Sequence, residues 1–357
     1  MTPLSDQKAN AVLSIAAVFV IIYGLQTAKA ILIPFLFAAF LALITIRPML
    51  WLQRNKVPTI VAALAIVSFM MLILLAVATI VGASIAGFTA QLPDYQQQLT
   101  AIIDELIQFA IANLNADPEI QTIGDLLNPG FAMGLVANLF TALRGLLTNV
   151  FLIFFTVIFI LLEASTFSTK VEAAFGRGAS SLDGPRVFLV NLGRYLGIKT
   201  LVSAATGFLA WLLTWSIGLD YPLLWGMLAF LLNYVPTIGS IIAAIPPVLL
   251  AVVQFGGVAE ATATMLGFMA INITFGNFIE PRLMGYGVGI SPLVVFIGLF
   301  FWGWVFGPVG MLLSVPLTMT LKLTLESDES TRWIAILIGS ERDAQHALEL
   351  QPADGER

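Results

Sequence analysis

The stretch from Thr200 to Leu321 constrains the fold of this chain more than any other feature, because it carries only four charged side chains. They are Asp220, Glu260, Glu280 and Arg282. A soluble domain has about 25% charged residues, whereas the whole chain has 10% charged and 59% hydrophobic residues. A stretch so long and so poor in charge is unsuited to folding in water. The sequence therefore predicts an all-α, polytopic integral membrane protein.

Eight apolar segments account for this composition. They lie at residues 10–25, 30–46, 58–88, 146–162, 198–218, 222–253, 258–279 and 291–323. Two of them, 222–253 and 291–323, contain clusters of Pro and Gly, which break helices. Each of these two segments is long enough for either of two arrangements. One is a re-entrant hairpin of two half-spanning helices with a turn inside the membrane, and the other is a single long, kinked span.

The distribution of Lys and Arg predicts the orientation, since both are enriched in the cytoplasmic loops of membrane proteins. Residues 47–56 and 165–199 are basic, whereas 90–145 contain six acidic residues and a single Arg. We therefore predict that both termini are cytoplasmic. The predicted parts are an N-terminal membrane hairpin with a long third helix (1–89), an extracytoplasmic amphipathic region (90–145), a membrane transport core (146–323) that includes the cytoplasmic basic segment 165–199, and a cytoplasmic tail (324–357).

Several classes of function are excluded by what the sequence lacks. There is no cysteine, so thiolate metal sites and disulfides are ruled out, and the one histidine, His346, lies in the polar tail. No P-loop, His-Glu-x-x-His or Gly-x-Ser-x-Gly motif occurs. The net charge of −5 leaves no basic footprint for nucleic acid. We predict that the protein is not an enzyme and needs no metal or cofactor, and that its partners are a small-molecule or ion substrate, the lipid bilayer and further copies of itself in a homo-oligomer.

The first Pro-Gly break is the predicted substrate site. A broken helix leaves backbone N–H and C=O groups that can bind an ion or a polar solute. The residues assigned to this site are Asn233, Tyr234, Pro236, Thr237, Gly239 and Ser240, with Asn277 from a later helix. The alternative is that Pro236 and Gly239 only form a tight turn between two packed helices. In the second break the predicted hinge residues are Gly307, Pro308, Gly310 and Pro316.

Glu280 is the predicted residue for proton or ion coupling. It ends an apolar helix, and Asn277 lies three residues earlier, a spacing that puts two side chains on one face of an α-helix. Carboxylates within membrane segments often serve in proton relays. The alternative is an interfacial Glu280 that pairs with Arg282 across Pro281 and serves only as an anchor.

Three stretches of the second half resemble the autoinducer-2 exporter (AI-2E) family of bacterial membrane proteins. They are NYVPTIGSIIAAIPPVLLA at 233–251, NFIEPRLMGYGVGISPLVV at 277–295 and FWGWVFGPVGMLLSVPLTMTLK at 301–322. The resemblance implies a multi-pass protein of the bacterial inner membrane that exports a small polar solute, such as autoinducer-2. Some family members exchange Na⁺ or Li⁺ for protons instead, and an oligomeric membrane scaffold or channel is a further alternative.

Overall fold

The computed structural model describes residues 3–114, 150–175, 183–284, 289–341 and 343–345. Within these ranges the chain is almost wholly helical and contains no strand. Six of the described helices are long and apolar enough to cross a membrane. The predicted all-α, polytopic fold is therefore confirmed. His346 lies outside the described residues, as do 115–145 of the predicted outer region, 146–149 of the predicted transport core and 176–182 of the basic segment.

The helices coincide with the apolar segments predicted from the sequence. In chain order they are α1 (Pro3–Thr27), α2 (Lys29–Arg54), α3 (Thr59–Leu114), α4 (Val150–Phe175), α5 (Asp183–Ile217), α6 (Pro222–Leu232), α7 (Ile238–Phe255), α8 (Val258–Asn272), a π-helix (Ile273–Ile279), α9 (Glu280–Met284), α10 (Pro292–Leu312), α11 (Ser314–Glu326) and α12 (Arg332–Ile338). The chain forms two compact units, one of Met1–Leu64, Phe151–Gly193 and Val288–Arg357, the other of Ala65–Val150 and Arg194–Gly287.

In the second unit, α6 and α7 form an antiparallel helical hairpin, which we call the first hairpin. Its two ends meet, because the side chain of Gln254 accepts a hydrogen bond from the N–H of Asp220 (2.8 Å) and donates one to the carbonyl of Gly218 (2.9 Å). Residues at the start of α6 share a core with residues at the end of α7. Of the two arrangements that the sequence allowed for 222–253, the structure has the hairpin and not the single kinked helix.

The lengths of the two arms differ. The 11 residues of α6 extend over ~16 Å, about half of the ~30 Å hydrocarbon core of a bilayer. The 18 residues of α7 are near the minimum for a full crossing. Beside the joined ends of the hairpin lies α3, whose Tyr95 donates a hydrogen bond to the Asp220 carboxylate (3.1 Å). The later part of α3, which follows its long apolar stretch, is thereby held against the joined ends of the first hairpin.

In the first unit, α10 and α11 together form a second hairpin, whose turn lies within α10 at Gly307, where a φ of 67° and a ψ of −149° interrupt the helix. One arm is therefore residues 292–306, and the other is residues 308–326. The arms run antiparallel, since the indole N–H of Trp302 donates to the hydroxyl of Thr318 (3.1 Å). A Cβ at Gly310 would lie 2.6 Å from the carbonyl carbon of Trp302, so only glycine permits this close approach. The helix is therefore broken where the sequence predicted a break, with Pro308 directly after Gly307. Pro316 lies in the first turn of α11. Hinge motion at these residues stays a prediction.

Candidate functional site

Helix α5 buries several polar side chains among apolar ones such as Leu196 and Val202. Lys199, Ser203, Thr206 and Thr214 are all buried. Their spacing of three, four and eight residues puts them along one side of the helix. Most of α5 falls in a candidate membrane span, Phe188–Ile217. Buried polar groups in such a span must find partners within the protein, because lipid offers none.

Lys199 finds its partner in Glu280. The Lys199 Nζ and the Glu280 Oε1 are 2.6 Å apart, and the two side chains are only 6% and 18% exposed. Arg282, the partner that the sequence suggested for Glu280 in an anchoring role, is exposed. That alternative pairing is therefore wrong, since the ion pair joins Glu280 to a helix 81 residues earlier in the chain. Two opposite charges in candidate membrane spans neutralise each other at short range.

A change of helix type precedes Glu280. The helix that begins as α8 widens into a π-helix over Ile273–Ile279 and returns to α-helix at Glu280. Hydrogen bonds from residue i to i+5 widen a π-helical turn, and such turns are frequent at functional sites. The three-residue spacing of Asn277 and Glu280 therefore no longer places them on a common face. Asn277 is exposed, whereas Glu280 is mostly buried, so the predicted common face is wrong.

The break in the first hairpin contacts the polar side chains of α5. The Asn233 side chain donates a hydrogen bond from Nδ2 to the Ser203 Oγ (3.0 Å). One residue later, the Tyr234 hydroxyl donates to the Thr200 Oγ1 (2.8 Å). Both break residues are buried. The break thus presents Asn233 and Tyr234 to α5, whereas Thr237 in the turn is exposed.

Helix α5 connects the ion pair to the break, because Thr200, which accepts the hydrogen bond from Tyr234, directly follows Lys199. Tyr195 lies one turn before Lys199 on the same helix. The ion pair and the break therefore belong to one group of side chains. We call this group the polar cluster; its members are Tyr195, Lys199, Thr200, Ser203, Asn233, Tyr234 and Glu280.

The turn that follows the break is strained. Thr237 has a φ of 59° and a ψ of −52°, and the N–H of Ile238 donates to the carbonyl of Pro236 (2.6 Å). These values describe the rare form of γ-turn, and a positive φ is an outlier for a β-branched residue. Backbone strain of this kind costs about 1–3 kcal/mol and persists only where the surrounding structure imposes it. Here Gly239 imposes it by packing directly against the carbonyl of Leu232.

A family comparison decides what kind of protein carries this cluster. The model of the AI-2E family transporters matches residues 12–328 of the chain. The chain belongs to the AI-2E transporter family. Among relatives of this AI-2E transporter, the AI-2 transport protein TqsA of Escherichia coli K12 is 34% identical over 327 residues, which cover 92% of this chain and 94% of TqsA. YhhT of the same organism is 35% identical over 343 residues, 96% of this chain and 97% of YhhT. A Haemophilus influenzae relative is 36% identical over 338 residues, 93% and 96% of the two chains.

The family confirms the resemblance seen in the sequence and makes this AI-2E protein a multi-pass membrane transporter. Of the residues predicted for its site, Asn233, Tyr234 and Glu280 come together in the polar cluster. The others do not join it by any hydrogen bond that the structure describes. Pro236, Thr237, Gly239 and Ser240 form the strained turn, in which the Ser240 hydroxyl makes only a long 3.5 Å contact with the carbonyl of Thr237.

Sequence analysis missed the half of the AI-2E polar cluster that α5 supplies. The position of Lys199 in the sequence indicates only the topology, and no motif marks Tyr195, Thr200 or Ser203. One signal was available, because Lys199, Ser203 and Thr206 recur at helical spacing within an apolar segment. A polar stripe in a membrane helix faces the interior of the bundle or a cavity.

Proposed function

We propose that this AI-2E family member is a secondary transporter that exports a small polar solute across the bacterial inner membrane in exchange for protons, which Glu280 carries. The observation that carries the proposal is the buried Lys199–Glu280 ion pair, which lies beside the break at Asn233 and Tyr234. Charged groups are expensive within a membrane and typically mark substrate or proton pathways. A helix broken at depth is in turn the usual place for a transport site.

The Lys199–Glu280 ion pair couples proton movement to solute export in this proposal. When Glu280 is deprotonated, its carboxylate pairs with Lys199 and can also accept a hydrogen bond from a hydroxyl group of a solute that Asn233 and Tyr234 hold. When Glu280 accepts a proton, its carboxyl group loses its charge and is a weaker acceptor, so the solute is bound less tightly. Proton binding and solute binding therefore oppose each other, as exchange requires.

The chemistry of the polar cluster favours an uncharged solute. Apart from the ion pair, its side chains are hydroxyl groups and one carboxamide, which form neutral hydrogen bonds. Lys199 and Glu280 cancel each other, so the cluster has no net charge with which to attract an ion. TqsA, the relative from E. coli, is named as an AI-2 transport protein. Autoinducer-2 is therefore the first solute to test.

The central prediction concerns Glu280→Gln. The amide keeps the shape of the side chain and can still accept a hydrogen bond from Lys199, but it cannot carry a proton. We expect that a pH gradient stimulates solute uptake into inverted membrane vesicles for the unmodified protein and no longer does so for Glu280→Gln. Glu260→Gln, which changes the other acidic residue on the same span, is the matched control and should keep the stimulation. Gradient-stimulated uptake by Glu280→Gln would remove Glu280 from the mechanism.

A second prediction concerns the binding of the solute. Asn233→Ala removes a polar contact at the break without altering the path of the backbone. One neutral hydrogen bond contributes ~0.5–1.5 kcal/mol, so the apparent KM should rise roughly 2–10-fold. Ser240→Ala is the control, because Ser240 makes only a long contact in the turn. KM is measured at matched amounts of folded protein. If Asn233→Ala leaves KM unchanged, the break is a packing turn and the solute binds elsewhere.

A cation–proton antiporter is the second candidate function. It is favoured by the Thr206 hydroxyl, which is buried on α5 and has no hydrogen-bond partner in the described part of the chain. Hard cations such as Na⁺ and Li⁺ take oxygen ligands, and a hydroxyl oxygen could serve together with the backbone carbonyls of the broken helix. The measurement is proton movement in vesicles after addition of Na⁺ or Li⁺ without any organic solute. Cation-driven proton movement that Glu280→Gln abolishes would favour this function over solute export.

A further inference from the structure

The short helix α12 presents an apolar face that the described chain leaves uncovered. Trp333 and Leu337 are 61% and 69% exposed, and their spacing of four residues puts them on one side of the helix. On the other side, Ala335 is fully buried where α12 packs against α11. Arg332, beside Trp333, is exposed as well. The large apolar residues of α12 therefore lie on its exposed side, whereas the buried side contacts α11 through the small residue Ala335.

Hydrogen bonds hold α12 in place at the open end of the second hairpin. Its last carbonyl, that of Ile338, accepts a hydrogen bond from the N–H of Ser291, which directly precedes α10. The ammonium of Lys322, near the end of α11, donates to the carbonyl of Gly289 (2.7 Å) and to the Asp343 Oδ2 (2.8 Å). The start of α10, the end of α11 and the segment after α12 are therefore tied together.

The Asp343 carboxylate keeps this tie intact at neutral pH. Burial would raise its pKa, but the hydrogen bonds from Lys322 and from the N–H of Ser340 outweigh burial and hold the pKa of Asp343 below its ordinary value. The carboxylate is therefore charged at neutral pH, and its attraction for Lys322 is lost only as the pH falls through that lowered pKa. The position of α12 is consequently fixed relative to the hairpin and not left to a loose tail.

The uncovered face of α12 continues an apolar surface of α10. Helix α10 is a candidate membrane span, and its outer side is apolar and exposed from its first turn, where Leu293 is 65% exposed. Because the carbonyl of Ile338 is bonded to the N–H of Ser291, Leu337 and Leu293 lie at the same end of the second hairpin. In a membrane transporter the outer side of such a span faces lipid, and the last turn of α12 lies where that side ends.

We propose that α12 is an interfacial helix that lies in the boundary between headgroups and acyl chains of the bilayer, with Trp333 and Leu337 towards the lipid. Trp is enriched at this depth, where its ring is buried in the apolar layer and its N–H stays in contact with water. The long side chain of Arg332 can reach the lipid phosphates from the same position. This inference goes beyond the proposed transport function and is independent of the solute.

A second copy of the chain is a weaker candidate for the occupant of this face. A stable protein interface buries about 800 Å² on each partner, and two side chains on a helix of 7 residues supply only a small part of that area. A lipid surface needs no such area, because the apolar face of α10 already lies in the bilayer. The lipid interface is therefore the occupant that the geometry favours.

Site-directed spin labelling tests the proposal directly, because the chain has no cysteine of its own. Leu337→Cys is spin-labelled and the full chain is reconstituted into vesicles of phosphatidylethanolamine and phosphatidylglycerol. Collision rates are measured with oxygen, which partitions into lipid, and with a water-soluble nickel chelate. We expect the ratio of oxygen to nickel collisions at Leu337→Cys to approach that of Leu293→Cys, the lipid control, and to exceed that of Glu341→Cys, the exposed polar control.

Two other results would overturn the proposal. Nickel collisions at Leu337→Cys that match those at Glu341→Cys would mean that the face of α12 is exposed to water. Protection from both reagents, with dipolar broadening between labels, would mean that a second copy covers the face. Trp333→Cys provides an independent measurement one helical turn away, and it should give the same ratio as Leu337→Cys if the lipid covers both.

Discussion

Gly239→Ala is expected to prevent the first hairpin from folding, with loss of most of the folded protein. A Cβ at this position would overlap with the carbonyl oxygen of Leu232. It would also lie 2.8 Å from the carbonyl carbon of Leu232 and 2.9 Å from the Cβ of Val235. Both obstacles are close to the backbone, so no side-chain rotation relieves them. The destabilisation should exceed the ~1–3 kcal/mol that is typical of overpacked sites. The measurements are the yield of monodisperse protein in mild detergent and the apparent Tm.

Gly197→Ala is the matched control for this variant. Gly197 lies within α5, and a Cβ there would meet no other group within 4 Å. Since Ala favours the helix over Gly by about 0.5–1 kcal/mol, the yield and the Tm of Gly197→Ala should be unchanged or slightly higher. Equal yields for the two variants would show that the backbone around Leu232 and Gly239 can open without loss of the fold.

Lys199→Met is expected to cause the second large loss, for an electrostatic reason. It leaves the Glu280 carboxylate in a mostly buried position without its partner, and a broken buried ion pair typically costs about 3–5 kcal/mol. The double variant Lys199→Met/Glu280→Gln removes both charges and should recover most of the stability. It should not recover uptake driven by a pH gradient, because Glu280 no longer exchanges protons. The apparent Tm and the vesicle assay separate these two effects.

The control for the ion pair is Lys170→Met. The Lys170 Nζ and the Glu163 Oε1 are 2.7 Å apart, nearly as close as the buried pair, but both side chains are more than half exposed, so water and salt screen their attraction. Lys170→Met should therefore change the Tm little. A Tm of Lys199→Met as high as that of Lys170→Met would mean that the protein or water compensates the unpaired Glu280, and the buried pair would lose its special role in the proposed mechanism.

The fold could be predicted from the sequence to a large extent, since transfer into lipid depends on local composition. A window of apolar residues marks a membrane helix whatever its neighbours are, and Pro and Gly mark its breaks. The breaks at Asn233–Thr237 and at Gly307 were predictable in this way. The choice between a hairpin and a kinked helix is fixed by the contact of Gly239 with Leu232 and by the bonds of Gln254, which local composition does not show. The sequence favours the hairpin only through Arg282, which the hairpin places on the cytoplasmic side.

The candidate site was harder to predict, because its parts come from distant places in the chain. Glu280 stood out as one of few charges, but nothing near it in the sequence indicates Lys199 as its partner. The π-helix before Glu280 consists of residue types that also form α-helix, so the rule of three-residue spacing gave the wrong face for Asn277. Pairing between helices follows from tertiary packing, and a single sequence does not show it.

The ribosome completes Lys199 long before the residue that neutralises it, since Glu280 follows 81 residues later. A lone Lys in a membrane helix opposes insertion by at most about 2.5–3.5 kcal/mol, the value for the helix centre. Until the helix with Glu280 has been synthesised, Lys199 has no opposite charge to pair with at this place. The packed form of the second unit is therefore expected only after the chain has been completed at least as far as Glu280.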